Sequence, residues 1–289
     1  MVVKKVGVVG CGLMGHGIAQ IAAQAGMSVL VRESEQGALD KGLQRVKRSL
    51  DKLVEKEKVS RADADAAFGR IRGTLRLEDL SDCDLVVEAI VENLDTKKQL
   101  FEQLNGLCKP ATIFASNTSS FSIGEMGAAS GRPQRMVGLH FFNPVQLMKL
   151  VEVVRAKQTS EEVFAEAKAF GEACGKVPVA AADTPGFVVN RLLVPYLAEA
   201  IRMVERGDAT PADIDTGMTL GCGYPMGPFT LLDYVGLDTT LFILEGWAKA
   251  EPGNTLFQPP KLLRDKVQAG KLGRKSGEGF FKWEGDKRA

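Results

Sequence analysis

Two histidines, five cysteines, two tryptophans and three tyrosines are all that 289 residues contain of those types, and neither sign of charge is in excess. Thirty-seven lysines and arginines face 36 aspartates and glutamates, for a formal net charge of +1. Each shortage removes a class of function. Balanced charge gives no reason to expect nucleic acid or an anionic membrane surface as a partner. The cysteines, Cys11, Cys83, Cys108, Cys174 and Cys222, form no C-x-x-C pair and have no histidine at ligand spacing. Neither a metal site nor a disulfide framework is therefore expected, and the five read as small buried hydrophobes. No apolar run approaches the roughly 18 residues of a membrane span. The first strand follows Met1 too closely for a signal or transit peptide, which points to a cytoplasmic protein. Internal repeats and low-complexity tracts are also missing.

What is present is an ordinary globular composition, 45% hydrophobic and 25% charged, over a length that allows two domains with sizeable cores. The chain opens with a hydrophobic strand that runs into Gly10, Cys11, Gly12, Leu13, Met14 and Gly15, followed by a helical pattern from about Ile18. A bound dinucleotide requires this order of parts. Gly10 allows the tight turn, Gly12 lets the backbone approach a pyrophosphate, and Gly15 lets the helix pack closely on its strand. A glycine turn alone is a weak signal, since an ordinary strand-to-helix turn has the same form. Here a second strand over residues 28–31 leads to Glu33, 18 positions after Gly15, close to where a carboxylate for the adenosine ribose belongs. Nucleotide binding is the better reading.

Further short apolar strands are expected at residues 73–77, 85–89, 112–116, 136–141, 150–154 and 177–181, between helical patterns. Such alternation predicts an α/β domain, a doubly wound, mostly parallel Rossmann sheet covered on both faces. A long helix over about residues 36–58 carries Arg45, Lys47, Arg48, Lys52, Lys56 and Lys58, which read as a solvated face. From Asp183 onward no convincing strand is found. The expected division is a dinucleotide-binding domain at 1–182 and a second, all-helical domain at 183–289, with Thr184, Pro185 and Gly186 as the hinge and Pro185 in a first helical turn.

The candidates for chemistry are few. His16 lies in the helix of the glycine turn, where it faces solvent or cofactor phosphate. His140 ends an apolar strand at the carboxyl edge of the sheet, where open α/β folds bind ligands. The next strand carries one carboxylate, Glu152, among apolar neighbours. A hairpin centred on Gln146 makes the two residues equidistant from the turn and so direct cross-strand partners. A carboxylate so placed orients an imidazole and stabilises its protonated form. A core histidine satisfying a buried glutamate fits the pair equally well; a nucleotide site on the same edge favours catalysis. Ser116, Asn117, Thr118, Ser119 and Ser120 follow a strand to that edge, although such clusters are usually caps or turns. Asn190 is the one uncharged polar side chain in the run 187–193.

The segments 116–119, 140–144, 148–153, 183–192, 223–228 and 277–280 resemble those of the short-chain L-3-hydroxyacyl-CoA dehydrogenases, in order and across essentially the whole chain. The resemblance implies NAD-dependent interconversion of a 3-hydroxyacyl-CoA and its 3-ketoacyl-CoA, with 3-hydroxybutyryl-CoA as the expected substrate in fatty-acid or butanoate metabolism, since no fused hydratase domain is present. It implies His140 as general base, Glu152 as its partner, and Ser119 and Asn190 as residues that bind the substrate oxygen or hold the site together. It also implies Glu33 at the ribose, Glu92, Lys97, Ser119, Asn143 and Lys275 around the nicotinamide half, and Ser49 and Lys56 facing coenzyme A. Arg32, beside Glu33, is suited to a 2′-phosphate and keeps NADP as the alternative cofactor. A β-hydroxyacid dehydrogenase acting on free acids, expected to use a catalytic lysine, and a non-catalytic NAD-binding relative are the competing readings. The apolar, glycine-rich stretch 220–232 predicts a homodimer formed through residues after about 183.

Overall fold

In a computed structural model, which describes residues 3–289, the chain divides into two compact units, residues 1–187 and 188–289. The first unit runs β1 (Lys5–Val9), α1 (Gly15–Gln24), β2 (Ser28–Arg32), α2 (Gln36–Glu55), α3 (Arg61–Gly69), β3 (Ile71–Thr74), β4 (Leu85–Glu88), α4 (Leu94–Leu107), β5 (Ile113–Ser116), α5 (Ile123–Ala129), β6 (Met136–Phe141), β7 (Leu150–Arg155), α6 (Glu161–Ala173) and β8 (Val177–Ala182). All eight strands form one sheet in the order β3-β2-β1-β4-β5-β6-β7-β8. Every pairing is parallel except that of β6 with β7. The carboxyl ends of β1–β6 therefore share one edge with the amino ends of β7 and β8. The strand order reverses between β1 and β4, which makes that point of the edge the ligand-binding crevice of an open α/β sheet.

The sequence explains these elements locally. β1, β4, β5 and β6 are almost entirely buried, as strands covered on both faces must be, and so read as continuous apolar runs. Apolar clusters fill both faces, one including Val8, Ile18, Val29, Val87 and Phe170, the other including Leu80, Val86, Phe101, Phe114 and Met126. Leu39, Gly42, Val46 and Leu50 recur at helical spacing on α2 and leave its charges to solvent. The third strand lies at 71–74 rather than 73–77, because Gly73 and Thr74 pair with Val31 and Arg32 while Leu77 turns into the core. The unforeseen α3 begins at Ser60, whose hydroxyl caps the Asp63 amide at 3.0 Å.

The second unit runs α7 (Val189–Arg206), α8 (Pro211–Cys222), α9 (Pro228–Val235), α10 (Leu237–Ala250) and α11 (Lys261–Gln268), and it adds one short hairpin, β9 (Trp283–Glu284) with β10 (Lys287–Arg288). Its core gathers Leu197, Ile201, Phe229, Leu232, Leu244, Trp247 and Phe257. Each such side chain contributes about 1.5–3 kcal/mol relative to leaving it exposed. Two buried aspartates organise the segments around 223–228 and 277–280. Asp215 caps α9 by accepting from the Phe229 amide at 2.7 Å and the Thr230 hydroxyl at 2.6 Å. Asp233 accepts from the amides of Phe280 and Phe281 and from the indole of Trp283, at 2.8, 2.9 and 2.8 Å, and so pins the carboxyl-terminal segment to α9.

The hinge differs from the expectation. Pro185 does not open a helix. Residues 184–187 form a turn closed by the Phe187 amide on the Thr184 carbonyl at 2.9 Å, and α7 begins only at Val189. Asp183 is the reason the chain stays with the first unit, since its carboxylate accepts from the Ser122 hydroxyl and the Ile123 and Gly124 amides at 2.8–2.9 Å.

Candidate active site and cofactor crevice

The glycine turn has the shape that its residues predict. Gly10 has φ of +94°, and a Cβ there would stand 2.5 Å from the Ala89 carbonyl; a Cβ at Gly15 would stand 1.8 Å from the Gly10 carbonyl. Both positions require glycine, the first for the turn and the second for close helix approach. Nothing lies within 4 Å of a Cβ at Gly12, so that stretch of backbone is open. No side chain caps α1 and its first turn holds no acid, which leaves its amino end available to an anion. Cys11 takes part through its backbone only. Its amide donates to Glu33 Oε1 at 2.5 Å, while its side chain is buried in the core. Leu13 is exposed, Met14 packs partly against the core, and His16 Nδ1 lies 2.7 Å from the Gly12 carbonyl. Glu33, directly after β2, is held by the Cys11 and Ser34 amides at the mouth of the crevice. These residues fit a dinucleotide: a bare backbone, an uncapped helix end and a carboxylate one strand away.

His140 and Glu152 are direct partners in the β6–β7 ladder, and His140 Nδ1 lies 2.6 Å from Glu152 Oε2. A carboxylate only accepts, so Nδ1 carries the proton and Nε2 is left for chemistry. Glu152 is 0% exposed and His140 6%, so the charge-assisted bond operates away from bulk water. Two rings lie against the imidazole, Phe142 at 4.6 Å and Phe187 at 5.6 Å between centroids. Asn117 accepts from the Phe141 amide at 3.0 Å and ties the serine-rich loop after β5 to the strand that carries His140. Asn143 is exposed in the β6–β7 connection. Lys176 holds that connection by donating to the carbonyls of Val145 and Met148, and burial pushes its ammonium below the usual lysine range.

Glu92 accepts from the Thr118 and Ser120 hydroxyls at 2.6 and 2.9 Å and from the Ser119 amide at 3.3 Å. Burial by itself would raise its carboxyl, but Lys97 and these hydroxyls outweigh burial and hold it below the usual carboxylate range. Lys97 is 1% exposed and stands behind Glu92 at 3.1 Å, so it bears on the crevice through Glu92. Ser49 and Lys56, seven residues apart near the end of α2, share one face, Ser49 half-buried and Lys56 exposed. Asn190 and Lys275 belong to the second unit, Asn190 in the first turn of α7 and Lys275 paired with Asp238 at 2.6 Å. Two residues that sequence reasoning passed over are Glu88, buried at the end of β4, and Phe187. A carboxylate within the apolar run 85–89 was the available signal for the first; nothing marked the second.

Among the described residues no group of three or more histidines, cysteines and acids is placed to hold a metal ion, and no helix is long and apolar enough to cross a membrane. Four of the cysteines are buried, with burial pushing the Cys11, Cys83 and Cys174 thiols up to about 12 and Cys108 up to about 11, so these thiols are unreactive at neutral pH. Cys222 departs from the expectation: it ends the loosely covered α8 and is exposed.

Residues 5–184 match the model of the 3-hydroxyacyl-CoA dehydrogenase NAD-binding domain, and residues 186–283 that of the same family's C-terminal domain. The chain belongs to the 3-hydroxyacyl-CoA dehydrogenase family. It is 50% identical to the mitochondrial hydroxyacyl-coenzyme A dehydrogenase of Rattus norvegicus, covering 98% of this chain and 92% of that one. It is 51% identical to a probable 3-hydroxybutyryl-CoA dehydrogenase of Deinococcus radiodurans, covering 96% of this chain and all of that one. The crystal structure of (S)-3-hydroxybutyryl-CoA dehydrogenase from Ralstonia eutropha superimposes with a TM-score of 0.95 at 42% identity, covering 98% of this chain and 99% of that chain. Membership of this dehydrogenase family makes NAD the cofactor of the crevice described above.

Proposed function

We propose that the protein interconverts (S)-3-hydroxyacyl-CoA and 3-ketoacyl-CoA with NAD, with 3-hydroxybutyryl-CoA and acetoacetyl-CoA as the preferred pair in fatty-acid or butanoate metabolism. The observation that carries this is the buried His140–Glu152 pair on the same sheet edge as the glycine turn. Hydride transfer is the chemistry that NAD supplies there. Loss of hydride from C3 is easy only when the hydroxyl proton leaves with it, so a base working near neutral pH is needed, and imidazole is the side chain suited to that range. His140 takes the proton at Nε2, Glu152 stabilises the imidazolium, and in reduction the same group returns the proton. Ser119 and Asn190 hold the substrate oxygen. Glu33 holds the ribose, Glu92, with Lys97 behind it, borders the nicotinamide half together with Ser119, Asn143 and Lys275, and Ser49 with Lys56 faces coenzyme A. The test is oxidation of NADH on addition of acetoacetyl-CoA against free acetoacetate; equal rates with the free acid would favour the β-hydroxyacid reading.

The protein is further proposed to act as a homodimer through its second unit. Phe229 and Leu232 are used in that unit's own core, but Leu220 is 83% exposed and α8 buries only Asp215. Tyr224 and Phe242 of the same unit are also exposed, and exposed apolar side chains of this kind are suited to burial against a copy of the chain. A monomer in light scattering at micromolar concentration would remove this proposal. The buried free thiols suit a reducing compartment, the cytoplasm in this reading.

A further inference from the structure

Glu88 is the last residue of β4, fully buried, and in the parallel ladders it stands level with Val9 of β1 and Ser116 of β5. β1 and β4 are the strands between which the sheet order reverses, so this carboxylate lies beneath the cofactor crevice. Its side-chain bonds go to segments that shape that crevice. Oε1 accepts from Lys97 Nζ at 2.6 Å and from the Ile90 amide at 2.7 Å, and Oε2 accepts from the Ser116 hydroxyl at 2.5 Å. Lys97 divides its ammonium between Glu88 and Glu92, and Glu92 in turn holds Thr118, Ser119 and Ser120. A buried ion pair is weak evidence for stability, because desolvation consumes most of the attraction; its attested use is to specify a geometry.

We propose that Glu88 is a positioning residue for NAD binding. It holds Lys97 back from Glu92, which leaves Glu92 free to fix residues 118–120 at the crevice wall. The inference rests on the reading that Glu92 and Ser119 border the cofactor. Without the charge at Glu88, Lys97 shifts wholly to Glu92 and draws that carboxylate away from the Thr118 and Ser120 hydroxyls. Glu92 is thus the point at which Glu88 acts.

The test uses the full chain, with NADH affinity measured by fluorescence titration and the affinity for free coenzyme A, assigned to Ser49 and Lys56, measured by calorimetric titration. Glu88→Gln is expected to raise the NADH Kd about tenfold and to leave the coenzyme A Kd within about twofold, whereas a general loosening of the fold would move both. Glu88→Asp keeps the charge beside Lys97, and its NADH Kd is expected to stay within about threefold of the unaltered value. An unchanged Kd in Glu88→Gln, or a Kd in Glu88→Asp raised as far as in Glu88→Gln, overturns the proposal. Should Glu88→Gln fail to fold, Ser116→Ala removes the bond to Oε2 without changing charge and is expected to raise the NADH Kd about threefold; no change would overturn the proposal equally. Failure of the unaltered chain to bind NADH would instead defeat the functional reading itself.

Discussion

The Phe187 ring stands 5.6 Å from the His140 imidazole on a backbone whose φ is +52°, a left-handed conformation that a bulky L-residue rarely adopts. Such a conformation costs about 1–2 kcal/mol. It persists where surrounding structure enforces it, and here the turn at 184–187 and the Asp183 contacts with α5 do so. The ring is 6% exposed and forms one wall of the imidazole's slot.

Two substitutions separate the ring from the backbone. Phe187→Ala and Phe187→Gly both remove the wall and should lower kcat by about tenfold, with the KM for NADH unchanged, as expected for misalignment of the base. Only glycine relieves the left-handed backbone, so Phe187→Gly should be the more stable of the two by about 1 kcal/mol, the reverse of the usual order of alanine and glycine. Thermal denaturation decides; an alanine variant as stable as the glycine variant would mean that position 187 is not held in that conformation.

Glu33 should set the choice of cofactor. A hydrogen bond to a charged group contributes about 1.5–3 kcal/mol, so Glu33→Ala should shrink the preference for NADH over NADPH by about tenfold or more in kcat/KM. Should NADPH prove the better reductant for the unaltered protein, Arg32 governs the site instead.

Lys56 is exposed at the end of α2, where a single ion pair contributes roughly 0.2–1 kcal/mol. Lys56→Ala should therefore raise the KM for acetoacetyl-CoA by about 1.4- to fivefold and leave the KM for NADH where it was. An unmoved KM for the thioester would return Lys56 to the solvated face of its helix.

The pairing of His140 with Glu152 is legible in the sequence because β-strand register is a matter of counting: in a hairpin centred on Gln146 the two positions are equidistant, and alternation does the rest. The glycine turn is legible for a similar reason, since steric exclusion at Gly10 and Gly15 leaves one residue type possible. Glu88 and Phe187 are different. A glutamate in an apolar strand announces only that some partner exists, and its partners Lys97 and Ser116 lie nine and 28 residues away. The φ of Phe187 arises from a turn held by Asp183 contacts across about sixty residues, which no local propensity encodes. Pro185 lies in a turn rather than in a first helical turn for a different cause, since proline has the same φ in both.

The central claim is tested at His140. General bases contribute about 10² to 10⁴ in rate, so His140→Ala should lose that much in kcat with acetoacetyl-CoA while NADH binding and the folded state persist. Glu152→Gln should lose less, because the amide oxygen still accepts from Nδ1 at the distance the carboxylate now occupies, 2.6 Å, but no longer supplies the charge that supports the imidazolium. His16→Ala should leave kcat within a few-fold, its Nδ1 being engaged with the Gly12 carbonyl. Near-normal turnover in His140→Ala would place the base elsewhere, and the buried pair would then be a structural contact that satisfies a glutamate in the core.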